Sequence, residues 1–303
     1  MSSEHGSSAK AILYAFLANL GIAITKSGAA LYTNSGSMLA EAIHSFADCV
    51  NQVLLYLGLR QGDRPPTAEH PLGFGKVTYF WSFVVALLLF SMGGLFSIYE
   101  GWHKLHNPEP LNRVWIALTV LAVAVLLESA SLVGCLNEIR KLRRGRSFGD
   151  WLRNTRNAEL VVVLGEDIAA LAGLVIAFGF LSLAAATGDP RYDAIGSISI
   201  GVVLISVAVF IAARIRTLLI GKSAEPALER ALDELIAADP AIEKLLNTIT
   251  LQMGPKVLLA AKVKMKSGLT IDEAVHHLNA LERRIKAAWP EVGWCFVEPD
   301  VSD

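Results

Sequence analysis

Six apolar stretches, at approximately residues 11–32, 36–59, 77–104, 112–137, 157–183 and 191–218, dominate this chain of 303 residues. Each is long enough to cross a hydrocarbon core of roughly 30 Å, which takes about 20 helical residues. Backbone inside lipid finds no water to bond to, so such a segment closes its hydrogen bonds internally, as an α-helix. Composition agrees: 53% of residues are hydrophobic and 18% charged, where an ordinary soluble domain carries about 25% charge. Charge is sparse through residue 223 and dense from 224 on. The expected organisation is therefore a six-helix, all-α transmembrane domain over residues 1–218, followed by a soluble domain over 219–303. A disordered, collagen-like or disulfide-rich secreted chain is excluded. The net charge of −1 gives no support for a nucleic-acid partner. Cys49, Cys135 and Cys295 are scattered and odd in number, so neither a disulfide framework nor a thiolate metal site is expected.

Orientation follows from the basic residues of short loops, which collect on the cytoplasmic side. Between spans four and five lie Arg140, Lys141, Arg143, Arg144, Arg146, Arg153 and Arg156, and between spans two and three lie Arg60, Arg64 and Lys76. On the other side the TNSGS turn is uncharged, and Arg191 is outnumbered by Asp189 and Asp193. Both ends of the chain are therefore expected in the cytoplasm. The start, MSSEHGSSAK, has no basic region before a short apolar core, so no removable signal peptide is expected. Topology explains most of the Arg-rich stretch; contact with anionic membrane lipids is a secondary role.

In the tail, Ala227–Ile236 reads as a helix and Leu246–Met253 as a strand. Gly254-Pro255 reads as a turn and Val263–Lys266 as a second strand. Thr270 with Glu273 forms a capping box that opens a helix to about Ala288, and Trp294–Val297 closes as a last strand. The order α-β-β-α-β predicts a two-layer α+β domain. So small a core would gain from pairing with a second copy.

Ionisable groups inside a span cost at least about 2.5–3.5 kcal/mol each at the helix centre, so each needs a reason. Span two carries Glu41, His44, Asp48 and Asn51, whose spacings of three, four and three put them on one helical face. His44 and Asp48 form an H-x-x-x-D pair one turn apart. Imidazole nitrogen with carboxylate oxygen suits Zn²⁺ and, less selectively, Co²⁺, Fe²⁺ or Mn²⁺. Span five adds Glu166 and Asp167, span four Glu128, and span one Asn19 and Lys26. A structural reading stands beside this one. Glu128 serves either as the ion-pair partner of Lys26 or as a group on the ion path, and Glu41 either reaches the interface or joins that path. Gly28, Gly93, Gly94 and Gly173 permit close helix packing. His276 and His277 in the tail helix read as solvated.

The segments NSGSMLAEAIHSFAD and HPLGFGK, the acidic motif of span five, LLIGKSAEP after span six and the αββαβ tail together resemble the cation diffusion facilitator family. The combination of EAIHSFAD, LGED and Glu128 is similar to its zinc transporter nine-like branch. The resemblance implies six spans, a ferredoxin-like cytosolic domain, a homodimer, and export of a divalent metal, usually zinc, in exchange for protons. It makes His44, Asp48 and Asp167 metal ligands. The family's fourth ligand, one turn before Asp167, falls on Val163, so Glu166 enters the set in its place, with Glu41, Glu128 and Asn51 as further metal or proton-path candidates. Lys26 and His70 are assigned structural or charge-compensating roles. Phe74 stands where some members have a second loop histidine, and Phe296-Val297-Glu298-Pro299 lacks the histidine of metal-binding tails, so a tail without its own zinc cluster is expected.

The expected function is alternating access. A cytosolic ion displaces protons from His44 and carboxylates, because ligands bind metal deprotonated, and external protons later expel it. No resident cofactor is expected; the metal is cargo. Two rivals remain. A membrane-embedded metal hydrolase is disfavoured by the lack of HExxH or GxSxG, and a non-transporting scaffold or partner subunit would have lost the site at Val163. The expected location is an integral position in a bacterial inner membrane, with the organellar membrane of the resembling branch as the alternative.

Overall fold

The computed structural model describes residues 3–33, 36–107, 114–143 and 145–302; the side chains of residues 3–5, 30, 33, 36–44 and 47 lie outside that description. Long helices account for most of it. These are α1 (Ser3–Thr33), α2 (Gly36–Gly62), α3 (Val77–Leu88) running through a π-helical stretch Leu89–Leu95 into α4 (Phe96–His106), α5 (Val114–Arg143), α7 (Ala158–Thr187) and α8 (Arg191–Ile220). A short α6 (Phe148–Asn154) precedes α7. None of the eleven prolines falls inside these long helices. An interior proline would remove a hydrogen bond and clash with the preceding turn.

Among the described residues five helices are long and apolar enough to cross a membrane: Gly6–Ala29, Val77–His106, Val114–Arg143, Ala158–Thr187 and Arg191–Ile220. At 1.5 Å per residue, a 30-residue helix is about 45 Å long, enough for core and headgroups. Five of the six sequence-derived spans agree with these in place and order. α2, at 27 residues, has spanning length as well and carries the polar face described above.

The chain divides into two compact units. The first comprises residues 1–61, 78–147 and 158–216. In it α1 packs on α5, and α5 on α7. The α3–α4 run lies backbone-close to α8: a Cβ on Gly94 would stand 2.4 Å from the Ile205 side chain, and one on Gly201 2.7 Å from the Gly94 carbonyl oxygen. Gly94 thus has the packing role expected of it, whereas Gly28 faces open space.

The second unit comprises residues 62–77, 148–157 and 217–303. Its elements α9 (Pro226–Ala237), β1 (Ile242–Met253), β2 (Lys256–Met265), α10 (Ile271–Ala288) and β3 (Val292–Pro299) run in the α-β-β-α-β order expected. The sheet order is β1-β2-β3, with β1 and β2 antiparallel and β2 and β3 parallel. Leu232 and Ile236 of α9 and Leu281 and Ile285 of α10 bury themselves against Leu259, Ala261, Val263, Val292 and Cys295. Thr270 accepts the Glu273 amide while the Glu273 carboxylate accepts the Thr270 amide, so the capping box is complete. Those bonds from Thr270 hold the Glu273 carboxyl below its usual range.

Two segments outside the sheet are fastened to it. Arg156, buried, donates to the carbonyls of Ser223 (2.7 Å), Asn154 (2.6 Å) and Ala224 (2.7 Å). The HPLGFGK segment meets the β1–β2 turn backbone to backbone. A Cβ on Gly75 would lie 2.0 Å from the Met253 carbonyl oxygen, and one on Gly254 2.5 Å from that of Gly75. Only glycines fit on both sides of this contact.

Candidate metal site

One cavity of about 580 Å³ in the first unit gathers the polar residues of four helices. α1 contributes Asn19 and Lys26, α2 Ser45, Asp48 and Asn51, α5 Glu128, and α7 Glu166 and Asp167. The helical period explains the grouping: Asp48 and Asn51 are one turn apart, and so are Glu128 and Ser131. Each pair presents one polar face to the interior of the helix group.

Adjacent residues on a helix point about 100° apart, and Glu166 and Asp167 use that angle to face different neighbours. Asp167, 3% exposed, accepts the Ser131 hydroxyl of α5 at 3.1 and 3.2 Å. Glu166 turns to α2. Its Oε1 accepts Asn51 Nδ2 at 3.2 Å, and its Oε2 accepts Gln52 Nε2 at 2.7 Å. Glu128, 5% exposed, lines the cavity under the electrostatic influence of Asp167, Asp48 and, with opposite sign, Lys26. So many carboxylates in a poorly solvated space call for cationic compensation. Lys26 supplies one charge, and a divalent ion is chemically suited to supply two more.

The cavity thus brings together Asp48, Asn51, Glu128, Glu166, Asp167 and Lys26 of the residues expected from the sequence. The side chains of His44 and Glu41 lie outside the described residues; both positions are on α2. Among the described residues no three His, Cys, Asp or Glu groups converge closely enough to hold an ion. His44, one turn before Asp48, is the further ligand expected from the sequence. Val163 is fully buried and does not line the cavity. His70 belongs to the second unit, exposed, with its ring 4.6 Å from that of Phe74 and its amide bonded to Thr67 Oγ1 at 3.1 Å.

Gln52 and Ser131, which hold the two acidic side chains of α7, were not singled out from the sequence. Spacing carries the signal: Gln52 follows Asp48 by four positions, and Ser131 follows Glu128 by three. The cavity also extends past Gly93 and Ser97 to Glu100, Lys104 and Asp193. There the Lys104 ammonium pairs with Glu100 at 3.0 Å and Asp193 at 3.4 Å, tying α4 to α8.

Comparison with known proteins adds an independent line. The family model for the cation efflux transmembrane domain matches residues 12–220. The chain is 37% identical over 256 residues, 84% of its length, to the mitochondrial proton-coupled zinc antiporter SLC30A9 of Xenopus laevis, and 33% identical over 256 residues to that of Homo sapiens. It is 30% identical over 287 residues, 94% of its length, to metal tolerance protein C4 of Arabidopsis thaliana, of which it covers 62%. The chain spans less than half the length of the two antiporters, 45% and 44% respectively. With its apolar helices, its acidic cavity between them and a family match over most of its length, this chain is an integral membrane protein belonging to the cation efflux, or cation diffusion facilitator, family.

Proposed function

We propose that this chain is a divalent-cation transporter that exports Zn²⁺ from the cytosol in exchange for protons by alternating access. The observation that carries the proposal is the meeting of Asp48, Glu128 and Asp167 with Lys26 in one cavity among membrane-spanning helices. Relatives bearing the name proton-coupled zinc antiporter support the choice of ion and counter-ion.

His44, Asp48 and Asp167 bind the ion, with a further oxygen from a cavity carboxylate. His44 and the carboxylates lose protons as the metal enters, since a protonated ligand cannot coordinate. Imidazole suits the exchange because its unperturbed pKa, about 6.5, lies near physiological pH. Ser131 orients Asp167, and the amides of Asn51 and Gln52 hold Glu166 and so tie α2 to α7. No resident cofactor takes part, and no reaction on a substrate is catalysed.

In this reading α2 is the sixth span, residues 1–218 form the transmembrane domain, and residues 219–303 form a ferredoxin-like domain that pairs with a second copy on the cytosolic side. Both ends of the chain are cytosolic, as the basic loops require. A bacterial inner membrane is the location proposed; fractionation of expressing cells against organellar markers decides between it and the mitochondrial location in the names of the relatives. Lipid surrounds the helices, and no nucleic acid is involved.

The test is uptake into proteoliposomes of Zn²⁺, Co²⁺, Fe²⁺ and Mn²⁺, each separately, with Asp48→Ala and Asp167→Ala alongside. The proposal expects Zn²⁺ flux that both substitutions abolish. An intact protein that moves none of the four ions refutes transport and favours the scaffold reading.

A further inference from the structure

We infer that Glu128 of α5, and not Glu166 of α7, supplies the fourth ligand to the transported ion, so that the site is built from three helices. The inference rests on the metal-site reading above and settles the position that Val163 leaves empty of a donor. An isopropyl side chain offers no lone pair, and Val163 is buried away from the cavity.

Glu166 is already committed. Each of its carboxylate oxygens accepts an amide donor from α2, Oε1 from Asn51 and Oε2 from Gln52. Both amide residues are themselves buried, Asn51 at 6% and Gln52 at 1% exposure. Turning the Glu166 carboxylate toward an ion would strand buried N–H donors, and an unmet buried donor carries the full cost of its lost solvation. The arrangement is that of a tie between two helices.

Glu128 has the opposite character. It is 5% exposed and lines the cavity, yet among the described residues no donor hydrogen-bonds to it. An ionised carboxylate is a pure acceptor with about four lone-pair sites. A carboxylate held in this way has its coordination capacity open to the cavity.

The described carboxylates do not converge on one point, so the ion must draw Glu128 and Asp167 together across the cavity they line. Ser131 sits one turn along α5 from Glu128 and is in direct contact with both oxygens of Asp167. A rise of about 4.5 Å therefore separates Glu128 from the residue that touches Asp167. Asp48 and Asp167 are the carboxylates whose charge reaches it, and Lys26 the cation. One divalent ion together with the Lys26 ammonium offsets three of the four cavity carboxylates, Asp48, Glu128, Glu166 and Asp167, and a buried carboxylate needs such compensation.

The test uses the full chain in detergent. Zn²⁺ affinity is read by competition with a chromophoric chelator, and the ligand set by the visible d–d bands of bound Co²⁺. Glu128→Gln is expected to weaken Zn²⁺ binding by at least about 100-fold, more than loss of an outer-shell partner typically does, and to change the Co²⁺ bands. Glu128→Asp, which keeps an oxygen but shortens its reach, is expected to recover part of the affinity. Glu166→Gln is expected to keep the Co²⁺ band shape and to lower the melting temperature, as loss of a helix tie should. Altered Co²⁺ bands in Glu166→Gln, whether or not Glu128→Gln alters them too, overturn the assignment. So does a Glu128→Gln protein with wild-type affinity. If Asp48→Asn and Asp167→Asn also leave binding intact, the transport-site reading itself fails, and the two failures are thereby told apart.

Discussion

Ser131→Ala is the smallest change that probes how the site is held. The substitution removes one oxygen and adds no bulk, in a place where Ser131 is 2% exposed and Asp167 3%. The hydroxyl spans both carboxylate oxygens, at 3.1 and 3.2 Å, and so fixes the plane of the carboxylate. A hydrogen bond to a charged acceptor contributes about 1.5–3 kcal/mol. At about 1.4 kcal/mol per tenfold, that corresponds to roughly 10–100-fold in affinity, the range found when outer-shell partners of metal ligands are lost. The assay is Zn²⁺ affinity in detergent with KM and maximal flux in proteoliposomes. Ser131→Ala should raise the dissociation constant and KM by that factor, while Ser131→Thr, which keeps the hydroxyl, should restore most of it. The reasoning is refuted if Ser131→Ala binds Zn²⁺ within about two-fold of wild type while Asp167→Asn does not bind.

Gly75→Ala and Gly254→Ala should each destabilise the second unit by about 1–3 kcal/mol, the usual range for overpacking, because the added carbon meets backbone at 2.0 and 2.5 Å. Gly268→Ala, at φ +89° with nothing within 4 Å, should cost only about 1 kcal/mol; thermal unfolding and hydrogen exchange over residues 62–77 check the contrast. Cys295 is pushed up to about 11 by burial and by the Glu282 carboxylate. A group raised in the folded state stabilises it fully below its unfolded value, about 8.5, and loses that contribution as pH climbs toward the folded value. Unfolding of the second unit should therefore become easier between about pH 9 and 11, and Cys295→Ala should flatten that dependence.

Much of this fold is legible in the sequence because hydropathy and length are nearly sufficient for a membrane helix. The spans agree in place and order with the helices observed, and the tail signals Gly254-Pro255 and Thr270 with Glu273 mark real features. Other features leave weaker traces. β2 begins at Lys256, well before the alternating stretch at Val263, because it is the central strand and Val257–Ala261 is apolar on both faces. α6 is a single short helix in an Arg-rich stretch whose charge reads as loop, and its anchor is one buried side chain, Trp151. The π-helical stretch at Leu89–Leu95 has no hydropathic signature.

The site divides along similar lines. Acids inside spans announce themselves by their cost in lipid, so Asp48, Glu128, Glu166 and Asp167 are visible in the sequence. Gln52 and Ser131 are neutral, and any helix tolerates them, so their role emerges only where the neighbouring helix stands. The sequence also places Glu166 and Asp167 about 100° apart without saying what each faces; α2 on one side and α5 on the other decide it.

The central claim is that one cavity exchanges a metal ion for protons. Its most direct test loads proteoliposomes with a zinc indicator and a pH indicator together and follows both after a zinc jump under an imposed pH gradient. The account predicts zinc entry and proton exit with the same time course, both abolished by Asp167→Asn. Zinc entry without proton movement, or coupled exchange that survives in Asp167→Asn, would contradict it.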